Sequence, residues 1–125
     1  MKGVFQPTPT SCCPACIASI FEIPIEDIPE LPDNELWTDE LNKWLKHKGL
    51  YTFSIRFSNR EAREFLKGYS LGGIESSRLP GEMHCVVCYD GRIVWDPIEG
   101  EKGGTEYPDR WEIFIAIDPN KLNVK

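Results

Sequence analysis

The hydrophobic positions change their spacing about halfway along the chain. Ala15, Ile17, Ala18, Ile20 and Phe21 occupy most sides of a helical wheel. This predicts a helix buried nearly all round rather than one with a wet face. Ser11 or Cys13 can cap it, Pro14 suits its first turn, and Pro24 requires it to have stopped. PIEDIPELPD, residues 24–33, carries three prolines and reads as a turn-rich connection. Asp33 or Asn34 then opens a second helix, with Leu36, Trp37, Leu41, Trp44 and Leu45 in one apolar stripe and Gly49 ending it. YTFSIRF, 51–57, alternates as a strand does. Ser58-Asn59-Arg60-Glu61 has the form of a capping box, before a short helix ending near Gly68.

Beyond Gly68 the spacing is that of a sheet. Tyr69 to Ile74 is a weak strand, interrupted by Gly72-Gly73. In HCVVCYDGRIVWDP two apolar runs flank Asp90-Gly91, the strongest short hairpin signal. Residues 98–110 read as a loop, and WEIFIAI, 111–117, as a last strand. Helices first and antiparallel strands afterwards predict an α+β fold. With 125 residues and no linker or repeat, the expectation is one domain over residues 1–125.

Composition narrows the function classes. Apolar residues make up 41% and charged residues 27%, enough for a core without a metal or disulfide staple. A net charge of -6 argues against nucleic acid or an anionic membrane surface as partner, since both want clustered Lys and Arg. After Met1 and Lys2 the apolar stretch is only Val4-Phe5 before Pro7, so neither an export signal nor a membrane span is expected, and the expected location is cytoplasmic. There the five cysteines stay reduced, and an odd number excludes complete internal pairing.

SCCPACIASI therefore poses a question of thiol chemistry. A cysteine acts as its thiolate, and a helix N-terminus favours that form through its free N–H groups and partial positive charge. Cys12 and Cys13 stand where the helix begins, while Cys16 lies one turn inside and suits the core. The chain has two histidines to act as base. His47 lies between lysines at a helix end and reads as solvated. His84 opens the first hairpin strand. A turn centred on residues 90 and 91 pairs it roughly with residue 97, so Asp96 emerges beside it and can fix its tautomer. Gln6 can add a side-chain amide to a backbone N–H at the helix start, to hold an oxyanion.

Gln6-x5-Cys12-x2-Ala15-Cys16-Ile17-Ala18, then His84, then Val94-Trp95-Asp96-Pro97, resembles the papain-like superfamily of cysteine peptidases. It looks closest to the branch that contains the bacteriocin-processing (C39-like) peptidases. The resemblance implies a papain-like fold, with N-terminal helices packed on a C-terminal antiparallel sheet. It also implies Cys12 as nucleophile, His84 as base, Asp96 as its orienter and Gln6 in the oxyanion hole, acting on a peptide or protein substrate with no cofactor. Cys13 stands where that branch commonly has Gly, and Ser11 where an acidic residue is frequent, so Cys13 stays open as nucleophile beside Cys12.

Two other readings use the same residues. Cys13/Cys16 and Cys85/Cys88 form two C-x-x-C pairs, on paper a zinc signature for a binding module. Strand geometry counts against it, because residues three apart on a strand point to opposite faces. Cys-Pro-Ala-Cys also has the form of a redox motif, but no strand precedes it.

Overall fold

The computed structural model of the chain describes residues 1–32, 36–56, 60–76, 81–100 and 107–122. These residues form two α-helices, α1 (Cys12–Phe21) and α2 (Trp37–Lys46), and five strands, β1 (Leu50–Ile55), β2 (Tyr69–Glu75), β3 (Met83–Tyr89), β4 (Arg92–Trp95) and β5 (Arg110–Ala116). The strands form one sheet in the order β1-β5-β2-β3-β4, with every pair antiparallel. This is the α+β arrangement expected from the helix-first pattern. No helix among the described residues is long and apolar enough to cross a membrane.

α1 is the buried helix that its apolar spacing requires. Ala15 to Ser19 are all inaccessible, and Cys16, Ile17 and Ala18 meet Leu41, Leu45, Leu71 and Val87 in the main core. Burying a residue such as Ile17 or Leu41 contributes about 1.5–3 kcal/mol. The helix ends in a left-handed Glu22, whose N–H reaches the Ala18 carbonyl, two residues before Pro24. At the other end the expected Ser11 cap does not form. Its hydroxyl is engaged in the preceding turn, donating to the Thr8 carbonyl and accepting the Thr8 N–H, both at 3.0 Å.

α2 follows its stripe, with Leu41 and Leu45 buried and Trp37 and Trp44 against the core. Leu36 departs from it at 57% exposure, because it precedes the first turn rather than lying on the packed face. The proposed starts at Asp33 and Asn34 lie outside the described residues. Buried Asn42 fastens α2 to β1: its carbonyl accepts the Thr52 N–H at 2.8 Å and its amide donates to the Thr52 carbonyl at 3.2 Å. The short helix before Gly68 is a 3-10 segment, Arg60–Phe65, rather than an α-helix. Phe65 on it is 84% exposed, so its ring adds no burial that would favour a full α-helix. Ser58 and Asn59 of the expected capping box lie outside the described residues.

The Gly72-Gly73 strand, read as weak, is central: β2 lies between β5 and β3. The glycines account for this. A Cβ on Gly72 would come within 2.7 Å of Cys88 Sγ, and one on Gly73 within 3.0 Å of the Arg110 side chain. Neighbouring side chains fill the space over a backbone that carries none. β3 then alternates as a strand between two packed layers should. Val87 faces the helices, whereas Val86 and Cys88 join Trp111 in a second core on the other side of the sheet.

Candidate active site

Three chain segments meet where α1 begins. The first is the extended lead-in, laced between α1 and the end of β4. Lys2 N–H donates to the Ser19 carbonyl at 3.0 Å, Val4 N–H to the Ser19 hydroxyl at 2.9 Å, and Gln6 N–H to the Pro97 carbonyl at 2.8 Å. Trp95 completes the lacing, with its indole N–H on the Val4 carbonyl at 3.2 Å and its ring 5.0 Å from that of Phe5.

The second segment is the β3–β4 hairpin. Asp90 and Gly91 both have positive φ, 51° and 82°, as a two-residue turn that matches strand twist demands. The register begins symmetrically, Tyr89 with Arg92 and Cys88 with Ile93, and then slips so that Val87 pairs with Trp95. This bulge moves the strand end by one residue from the symmetric register expected for His84. Asp96 still arrives beside His84, with Nε2 to Oδ1 2.8 Å. The same Oδ1 accepts the Ile98 N–H at 2.9 Å, which fixes the carboxylate from behind. His84 is 7% exposed and Asp96 8%, so water competes little for either.

The third segment is the N-terminal turn of α1, which places Cys12 on the same cavity wall as His84, close enough to act on the imidazole. With Nε2 held by Asp96, Nδ1 is the ring nitrogen left for the thiol. Burial alone, the largest influence, would push the His84 pKa down. The Asp96 hydrogen bond, the Cys12 hydrogen bond and the charges of both groups outweigh it and raise His84 to about 10. An imidazolium is therefore held beside Cys12 across the neutral range.

Cys12 and His84 open onto a cavity of about 680 Å³ whose wall includes Cys13, Trp37, Cys85 and Glu112. Gly72 and Gly73 line it as well, whereas Trp44 packs against Phe21 and Trp95 against Phe5. Gln6 is not on this wall. Its backbone is tied to Pro97, next to Asp96, and its side-chain amide donates to the Thr8 carbonyl at 2.9 Å. His47 is exposed at the end of α2 and takes no part.

The remaining thiols separate into two groups. Cys13, Cys16 and Cys85 influence one another's protonation, and the Cys16 thiol donates to the Cys85 carbonyl at 3.4 Å. The Cys85 hydrogen bond, followed by burial, pushes Cys13 up; burial, followed by Cys85, pushes Cys16 up. Both keep their protons, which favours Cys12 over Cys13 as the reactive sulfur. Cys88 lies across the sheet and is raised to about 12, first by burial and then by Cys85. The two C-x-x-C pairs therefore do not converge, and among the described residues no group of three or more His, Cys, Asp or Glu side chains is placed to hold a metal ion. All five cysteines are free thiols.

Sequence reasoning overlooked Ser54, Arg110 and Glu112 on the cavity wall. For Ser54 and Glu112 the signal was a polar residue inside an apolar strand, which ordinary in–out alternation explains equally well, and Arg110 fell in the stretch read as a loop. No protein-family model matches the chain, and a search of curated proteins finds no matching relative.

Proposed function

We propose that the chain is a papain-like cysteine peptidase, or a related thiol amidase or isopeptidase of the C39-like type, acting on a peptide or protein substrate. One observation carries this reading: a buried His84 held by Asp96 at 2.8 Å on the same cavity wall as Cys12, which stands at a helix N-terminus. A free cysteine buried for packing needs no such neighbours.

The chemistry follows from those positions. Cys12 attacks as the thiolate paired with the His84 imidazolium, and its sulfur adds to the amide carbonyl carbon. The oxygen takes up negative charge beside the first turn of α1, with the amide of Gln6 as the second donor once it swings from Thr8. The C–N bond then breaks as His84 gives its proton to the leaving amine, and a thioester remains on Cys12. Water, deprotonated by His84, adds to the thioester; acid and Cys12 thiol are released. Asp96 holds the imidazolium throughout.

The test is alkylation with limiting iodoacetamide from pH 4 to 9, located by peptide mapping, with His84→Ala alongside. Selective labelling of Cys12 well below pH 8, reduced roughly a hundredfold or more by His84→Ala, is the expected result. Labelling at Cys13 with the same His84 dependence would move the nucleophile by one residue. Slow, uniform labelling of every thiol would remove the enzyme reading and leave a non-catalytic binding module.

A further inference from the structure

One wall of the cavity has no task in the reaction just described. Glu112 on β5 is 4% exposed and lines the same cavity as Cys12 and His84. Its Oε1 accepts a hydrogen bond from the hydroxyl of Ser54, its cross-strand partner on β1. Its Oε2 is buried and has no hydrogen-bond partner among the described residues. Burial pushes this carboxyl up, while Ser54 and the charge of Arg110 act in the opposite direction. A buried carboxylate satisfied on one side only is unfavourable, and a donor arriving in the cavity would complete it.

The rest of the wall says what kind of donor fits. Leu31, Trp37 and Leu71 supply apolar surface along the same cavity. An aliphatic stem can lie on that surface with a cationic head at the carboxylate, as a Lys or Arg side chain would. The net charge of -6 favours approach of such a group. Arg110 also lines the cavity, but its side chain runs over Gly73.

We infer that Glu112 sets substrate specificity, holding a protonated amine or guanidinium on an aliphatic stem while the scissile carbonyl lies against Cys12. This rests on Cys12 being the nucleophile, so the experiment tests the two separately. Three iodoacetamides share one warhead and differ only in the end of a butyl arm: ammonium, methyl or carboxylate. Rates at Cys12 are measured by peptide mapping and divided by the rates with free N-acetylcysteine. The ammonium probe is expected to label Cys12 roughly ten- to a hundredfold faster than the methyl probe, the usual range for one charge-assisted hydrogen bond. Glu112→Gln should bring the two within about threefold. In the unsubstituted protein, millimolar butylammonium should slow labelling by the methyl probe and butanol should not, a result that does not depend on the variant folding. Enhanced Cys12 labelling with no preference for ammonium would overturn the Glu112 assignment and leave the nucleophile standing. A preference for the carboxylate probe would also overturn it, in favour of Arg110. No enhancement with any probe would overturn the nucleophile and the specificity assignment together.

Discussion

Cys85 and Cys88 stand three residues apart on β3, in opposite surroundings. Cys85 faces the helices, within reach of Cys13, Cys16 and the charge of His84, on the wall of the cavity. Cys88 faces the other way, among Val86 and Trp111, and a Cβ on Gly72 would lie only 2.7 Å from its sulfur. One side of the sheet carries interacting polar and thiol groups around an open space. The other is packed without room for a methyl group. The tight side fixes the strands, and the strands hold the polar side in register. Function and stability should therefore respond to different substitutions on the two faces.

The largest expected effect is on the polar side. Asp96→Asn removes the charge that keeps His84 protonated, and alkylation of Cys12 below pH 8 should slow by roughly ten- to a hundredfold. The same variant has a signature in stability. His84 is raised from 6.5 to about 10, so its stabilising contribution is complete below about pH 6.5 and is lost as pH rises towards 10. The stability gap between the unsubstituted protein and Asp96→Asn, measured by urea denaturation, should narrow across that window. A gap independent of pH would mean that the Asp96–His84 pair has no special electrostatic role.

A smaller effect is expected on the packed side. Gly72→Ala pushes a methyl group against Cys88 and Val86 and should cost about 1–3 kcal/mol in denaturant midpoint analysis. Cys12 reactivity should stay within about twofold, because the added group points away from the helices. Adding Cys88→Ala makes space for the methyl, so the double variant should lose less than the sum of the two single variants. Strict additivity would show that the close approach is not what limits this position.

The smallest effect belongs to the thiol beside the nucleophile. Cys13 keeps its proton through its contact with Cys85 and through burial. Cys13→Ala should change Cys12 alkylation by about threefold or less and stability by about 1 kcal/mol. A loss of reactivity as large as that of Asp96→Asn would reverse the comparison between the two neighbouring thiols.

The elements most legible in advance had local causes. The hairpin was marked by Asp90-Gly91, whose positive φ values no distant contact has to impose. α1 was marked by near-continuous apolar residues up to Pro24. The juxtaposition of His84 and Asp96 followed from counting outward from that turn, and the bulge after Cys88 changed the register without separating them. The standing of the glycine strand was not legible. Gly72-Gly73 lowers local strand propensity, and only the side chains arriving from β3 and β5 make the absence of a Cβ an advantage. The Ser11 cap failed for a similar reason, since Thr8 competes for the same hydroxyl.

By itself, then, the sequence determined the α+β order, the buried helix with cysteines at its start, and the hairpin that carries His84 and Asp96. These depend on turn chemistry and on hydrophobic period, which act over a few residues. Tertiary structure alone decided that β5 inserts between β1 and β2, and so that Glu112 and Ser54 stand on the wall of the cavity beside Cys12. It also decided that Cys13, Cys16 and Cys85 gather on one face of the sheet while Cys88 packs on the other. Those outcomes depend on contacts between segments far apart in the chain, such as Ser54 with Glu112, separated by 58 positions, and Cys16 with Cys85, separated by 69. Local propensity has no term for such distances; only the closing of the sheet against α1 brings the groups together.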